Sequence, residues 1–350
     1  MKTSFISNQA MQNAMRMTIG RGQNEIQSLQ KEIVTGRHAD IGISLGAKTS
    51  NSVTLNHTVS RLQTILDSNA LVTQRLSASQ SALDLMAENA QQMLEAFISI
   101  NGSDDANNLQ IARRDVEASL NGFTVAVNTS SNGEYLFSGI NSNAKPVENY
   151  FEAGSSPKAA FDATFLGHFG FSQNDPLAAG ITAPQMDNFI TNVLAPTFSG
   201  PNWNTDWSNA ANTNISSRIL NNEVVDSGVN ANAAGMRNFA LAAVIGIELL
   251  DSPISSVVRT AVNAKAIEYA GQAVTGIDNQ RGNLGVAENR VTKANVALRS
   301  QVEITTLHLG DIEGVDAYEA STRMQTLLAQ VETSYKLTAR IQQMNLMSYL

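Results

Sequence analysis

Near its start the chain carries apolar or small residues at alternating steps of four and three: Met15, Ile19, Gly22, Ile26, Leu29, Ile33 and Gly36. Such steps line side chains up along one seam of an α-helix. The stripe is narrow, with glutamine and serine between, whereas a helix resting on a globular core shows a wider apolar face. A narrow seam predicts a helix that meets partner helices. After an irregular segment from Gly36 to Gly46 the alternation resumes through Leu55, Val59, Leu62 and Leu66, then slips by one residue. From Val72 it continues through Leu76, Ser79, Leu83, Met86, Ala90, Met93, Phe97 and Ile100. The pattern predicts a helix from about Val53 to Ile100, roughly 70 Å long at 1.5 Å per residue. Asn101-Gly102-Ser103 breaks it, and Ser103 or Asp104 is placed to cap a second helix with the stripe Leu109, Ala112, Val116, Leu120, Phe123 and Val127.

The other end of the chain mirrors this arrangement. Helical stretches are expected near Gly235 to Leu250, Ile254 to Asn279 and Leu284 to Ile312, with Pro253 between the first two. The last stretch, Ala317 to Leu350, repeats the narrow seam with Ala320, Met324, Leu327, Val331, Tyr335, Thr338 and Ile341. A solitary seam helix is only marginally stable in water, so two such ends imply that they pair or that they order in an assembly. Periodicity alone also allows an intramolecular bundle that never polymerises.

Proline changes the picture in the middle. Six of the 7 prolines (Pro146, Pro157, Pro176, Pro184, Pro196, Pro201) and both tryptophans, Trp203 and Trp207, lie between residues 146 and 207. Proline ends helices and is rare inside strands, so this stretch is expected to be irregular. Val147 to Phe151, Ala160 to Phe165, Phe169 to Phe171 and Ile215 to Val225 have the aromatic and β-branched content of short strands. Trp203 and Trp207 are expected in the core of that module rather than in an exposed recognition patch. The expected fold is mainly α with a small β-containing insert. Both chain ends are expected to be long seam helices that pair with each other, as an antiparallel coiled coil or bundle, or that order in an assembly. The expected domains are 1–40 with 314–350 as a terminal coiled coil, 41–145 with 230–313 as a long-helix bundle, and 146–229 as a variable β-containing module.

Composition narrows the function by exclusion. The 350 residues carry a net charge of -8 with only 15% charged residues, so no basic field exists to hold nucleic acid or an anionic membrane. Cysteine is absent, which removes disulfides, thiolate metal sites and thiol nucleophiles. The opening Met1 to Ala10 shows no apolar core or cleavage site of the general secretory type. No uncharged apolar run approaches the roughly 20 residues a membrane helix needs; Phe239 to Leu250 is too short. His38, His57, His168 and His308 have no paired ligand spacing, so no metal site is expected. Asp104-Asp105 precedes a helix and reads as capping. Gly20-Arg21-Gly22 and Gly282-Asn283-Leu284-Gly285 lack the strand, turn and lysine of a phosphate loop. No glycine-flanked serine stands with a histidine in a readable order. No cofactor is expected, and the chain reads as a non-enzyme.

Three local sequences resemble bacterial flagellin and its relatives. Leu29-Gln30-Lys31-Glu32-Ile33-Val34-Thr35-Gly36-Arg37 followed by Asp40 is similar to the end of the family's first terminal helix and the glycine-containing spoke after it. Gln280-Arg281-Gly282-Asn283-Leu284-Gly285-Val286-Ala287-Glu288-Asn289-Arg290 resembles the arginine, leucine-glycine and asparagine-arginine run of the returning helix. Tyr135-Leu136-Phe137-Ser138-Gly139 resembles a motif that, within the family, points to the subunits joining hook to filament rather than to the filament subunits. The ending Met344 to Leu350 is closer to the junction subunits as well, whereas Asp40-Ile41-Gly42-Ile43 replaces the family's usual aspartate pair and glycine.

The resemblance implies a subunit whose terminal helices pair as an inner coiled coil while the middle projects outward. It also implies unfolded export through the flagellar type III apparatus to an extracellular flagellum. The implied partners are copies of itself, a hook-associated protein on the hook side, flagellin on the filament side and an export chaperone. The rival expectations are filament flagellin, an extracellular coiled-coil adhesin with the central module as its head, and a bundle enzyme, for which no inward cluster of carboxylates or histidines is visible.

Overall fold

The computed structural model describes residues 3–347, with side chains from Ala10 to Arg340 and that of Gln343. The first half holds α1 (Thr3–Thr35), α2 (Ile41–Leu45), a 3-10 turn at Gly46–Lys48, α3 (Thr49–Ser99) and α4 (Ala106–Val127). A small ladder, β1 (Ser130–Ser131) and β2 (Glu134–Tyr135), leads into α5 (Ser156–Phe169), α6 (Ala183–Asn188), α7 (Ala195–Thr197) and α8 (Gly200–Asp206). The hairpin β3 (Ser216–Leu220) and β4 (Glu223–Asp226) precedes α9 (Ala234–Leu249), α10 (Ser256–Glu313) and α11 (Ala317–Met347). The chain divides within α3 and α10 into two units, one of residues up to Thr64 and from Ala297 onward, the other Ile65–Val296.

In the first unit α1 packs on α11. The two run antiparallel: Thr338 reaches the Met15 sulfur at 3.6 Å, Tyr335 accepts from Gln23 at 2.8 Å, and Arg323 pairs with Glu25 at 2.6 Å.

The helix α3, which belongs to the second unit from Ile65 onward, is uninterrupted because neither glycine nor proline occurs in its 51 residues. Its partner α10 is a single helix of 58 residues, where the sequence pattern predicts two with a break between Asn279 and Leu284. The buried stripe explains the continuity. Ala266, Ala270, Ala273 and Ile277 continue without change of phase into Leu284, Ala287, Val291 and Ala294, so Gly282 stays helical. Asn263 donates to the Phe97 carbonyl at 3.0 Å, Arg281 meets Asp84 at 2.6 Å, and Asn69 bonds Asn295 at 2.7 Å, an antiparallel order. The cap of α4 is Asp105, which accepts from the amides of Asn107 and Asn108 at 3.0 Å. It is neither Ser103 nor Asp104; Asp104 instead pairs with Arg259 at 3.2 Å.

From Phe239 to Ile247 α9 is apolar on every side, the composition of a fully surrounded helix. Every residue from Phe239 to Leu249 is buried, with Phe239 stacked on Phe123 of α4 at 4.1 Å between ring centroids. Gly235 and Gly276 let α9 and α10 approach closely, since a Cβ on either would lie within 2.6 Å of the other's backbone.

The insert is more helical than its composition suggests. The expected strands Ala160 to Phe165 and Phe169 to Phe171 fall on α5 and its end, and Val147 to Phe151 is a loop with one bridge, Val147 to Ser208. Ser155 caps α5 and Pro157 sits in its first turn, while Phe161 and Phe165 turn inward from successive turns. Only Ile215 to Val225 forms the expected sheet, as the β3–β4 hairpin. Trp203 and Trp207 are buried and stacked 5.5 Å apart. A polar clasp ties the insert to α9: Glu248 accepts from Tyr150 at 2.8 Å, Lys158 at 3.0 Å and Gln173 at 3.1 Å. Burial, and then the Glu248 charge, push the Tyr150 phenol far above its ordinary range, so it remains a donor. Burial works against the Lys158 ammonium, but its bonds to Asp162 and Glu248 outweigh that and raise its pKa.

Candidate assembly interface

The seam of α1 faces α11. Ile19, Gly22 and Leu29 are buried and Met15, Ile26 and Ile33 half-buried, each at the three- or four-residue step that brings it back to one face. From the other side Ala320 is buried and Met324, Leu327 and Val331 are half-buried. Gly22 lets the two helices come close, since a Cβ there would stand 2.7 Å from Val331 Cγ2. Tyr335 stays 50% exposed, with Val331, Ser334 and Thr338 taking the more covered positions around it. Its ring leans out while its hydroxyl reaches back to Gln23. The side chain of Ile341, the last predicted seam position, lies outside the described residues.

Two helices cover only one face of each other. Met17 at 61% and Val34 at 80% on α1, and Leu328 at 47% and Leu337 at 48% on α11, remain uncovered. These apolar residues sit away from the seam, where further helices would have to cover them.

The turns out of α1 and into α11 are locked together. Gly36 adopts φ 67°, a left-handed conformation that glycine tolerates, and its carbonyl accepts from Val315 at 3.0 Å. Arg37 bridges Gly314 in backbone and reaches Glu313 at 3.3 Å. Glu313 is buried; its carboxylate also accepts from Ser52 and, at 3.1 Å, from Asn56. Its backbone carbonyl accepts from His38 at 2.9 Å. Asp40 caps α2 through the Ile43 amide at 3.0 Å. Glu313 is the residue of this lock that sequence reasoning missed: a single acid at a helix end carries no sign of a partner some 270 positions away.

The other motifs serve the second unit. Arg281 joins α10 to Asp84 of α3, and Arg290 pairs with Glu223 of the hairpin at 2.8 Å. Leu284 is buried, Gly285 half-buried and Asn289 exposed. Leu136, Phe137, Ser138 and Gly139 are all buried, and Tyr135 is held through its carbonyl by Arg75 at 3.2 Å. The carbonyls of Phe137 and Ser138 accept from Ala231 at 2.8 Å and Ala211 at 2.9 Å. Gly139 has φ 61°, and a Cβ there would meet the Thr213 carbonyl at 2.5 Å. This segment is a crossing point for three chain passages, which explains why its sequence is so particular.

Two family models match the chain: the N-terminal helical region of bacterial flagellin over residues 6–142, and the C-terminal helical region over residues 267–350. Together they span more than half of it, and the chain belongs to the bacterial flagellin superfamily. It is accordingly a flagellar structural subunit. The insert and α9 lie outside both matched regions. A solved structure from Vibrio parahaemolyticus, of a protein provisionally described as flagellar hook-associated, is similar with a TM-score of 0.53 at 11% identity, covering 76% of this chain and 97% of that one. At that identity the likeness concerns the fold. No curated protein matches. No helix among the described residues is long and apolar enough to cross a membrane.

Proposed function

We propose that this subunit forms the junction between hook and filament, assembling with copies of itself through the α1–α11 pair. The observation that carries the junction reading is the Tyr135-Leu136-Phe137-Ser138-Gly139 segment, which resembles the corresponding motif of junction subunits. The seam positions Ile19, Ile26, Leu29, Met324, Leu327 and Val331 hold the pair, and its uncovered apolar faces meet neighbouring subunits. Each apolar side chain so covered contributes about 1.5 to 3 kcal/mol before ordering costs, more than an exposed ion pair. A hook-associated protein occupies the hook side and flagellin the filament side, and the chain reaches them unfolded through the flagellar export apparatus with a chaperone.

Cells lacking this chain are expected to carry hooks without filaments and to shed flagellin into the medium. Hooks that still bear normal filaments would refute the junction role, and loss of the major filament protein itself would point to filament flagellin. Leu29→Asp and Leu327→Asp test the seam: both are expected to abolish incorporation while the melting of Ile65–Val296 is unchanged, and normal motility in both would contradict it.

A further inference from the structure

Half-buried arginines between Ile65 and Val296 find a carboxylate, with one exception. Arg75 meets Glu134 at 2.9 Å, Arg113 meets Asp251 at 3.3 Å, Arg259 meets Asp104 at 3.2 Å and Arg281 meets Asp84 at 2.6 Å. Arg237 has no acid partner among the described residues, although the chain carries a net charge of -8. Its Nη1 makes a long bond of 3.4 Å to the Phe198 carbonyl, and its buried Nε, like that of Arg75, has no acceptor among the described residues. Taking a guanidinium partly out of water without an anion is costly, so the position calls for one.

Arg237 lies in the first turn of α9, where the helix dipole also favours negative charge. It lines a solvent-open cavity of about 560 Å³ with Trp203, Asn204, Asn212 and Asn232 and no acidic residue. That volume suits a small molecule. Asn232 is fully committed: its Oδ1 accepts from Trp203 at 2.7 Å and Ser208 at 2.6 Å, and its Nδ2 donates to the Ala210 carbonyl at 2.9 Å and Asn212 Oδ1 at 2.7 Å. It fixes the wall and leaves the Asn212 amide nitrogen and both ends of the Asn204 amide free to bond a guest. One cation and two spare amides match a molecule with one carboxylate and several hydroxyls. An apolar guest would strand the amides, and a dianion would find a single positive side chain.

We propose that this cavity between the insert and the start of α9 binds a sugar acid of the hexuronic type, its carboxylate on Arg237 and its hydroxyls on Asn204 and Asn212. The site stands independently of the junction role. Both tryptophans of the chain, Trp203 and Trp207, lie at or beside the cavity, so their emission reports on it selectively. Full-length protein titrated with D-glucuronate is expected to give a saturable change in tryptophan emission in the millimolar range. Binding should weaken at least about tenfold in Arg237→Gln, the scale of a lost charged hydrogen bond, and about fivefold in Asn204→Ala, whose side chain makes no bond in the protein. Glucose should bind as poorly as the arginine variant does to glucuronate. The proposal is overturned by no saturable response to glucuronate, or by a response unchanged in Asn204→Ala and in a folded Arg237→Gln. Equal affinity for acetate or N-acetylaspartate would likewise overturn it, marking a general carboxylate or peptide site.

Discussion

α9 and the α1–α11 pair solve the same problem, how a helix hides its apolar residues, to different extents. Every side chain of α9 from Phe239 to Leu249 is covered by its own chain. In the pair, Ile19, Leu29 and Ala320 are the buried apolar side chains among the described residues, while Val34 and Tyr318 are 80% and 83% exposed. A helix of the first kind belongs to a core that is complete in one molecule. A helix of the second kind has used one face and has others to spare, which is what an assembling subunit requires. Fold stability and assembly should therefore respond to different substitutions.

The largest effect is expected from Phe239→Ala. Removing a buried ring stacked on Phe123 should cost about 3 to 5 kcal/mol in denaturant unfolding of the second unit. A cost below 1 kcal/mol would mean that the α4–α9 packing is not the core described. Next comes Glu313→Ala, which deprives Ser52, Asn56 and Arg37 of their acceptor. With Ser52 buried, about 2 kcal/mol should be lost, seen as faster limited proteolysis between Gly36 and Gly46 with the second unit's melting unchanged. Unaltered cleavage would remove Glu313 from the lock. The smallest is Gly22→Ala. The added methyl meets Val331 and costs about 1 to 3 kcal/mol, against a helix-propensity gain of about 1 kcal/mol, so polymers should form with a modestly raised critical concentration. Stronger polymerisation would show that the two helices are not in contact there.

The sequence made the long helices legible because their stripes are periodic over many turns, and the narrowness of the terminal seams set them apart from α9. It misled where propensity and periodicity disagreed. Phe161, Phe165 and Phe169 are aromatic, which suggests strands, yet they stand four apart behind a serine cap and a first-turn proline, the signature of the helix they form. The expected break between Asn279 and Leu284 is overridden by the unbroken apolar phase of α10. Tyr335 repeats a step of four where Val331, Ser334 and Thr338 keep the alternation, and it stays 50% exposed. The Glu313 lock and the lack of an acid beside Arg237 among the described residues were illegible because each depends on which distant residue arrives, or fails to arrive, there.

Amide hydrogen exchange on the monomeric chain and on its polymer tests the division between complete and incomplete helices most directly. Amides of α1 from Ile19 to Ile33 and of α11 from Ala320 to Val331 should exchange rapidly in the monomer and become at least about 100-fold slower in the polymer, with α9 protected in both. Protection of the terminal pair in the monomer equal to that of α9, unchanged on polymerisation, would contradict the account.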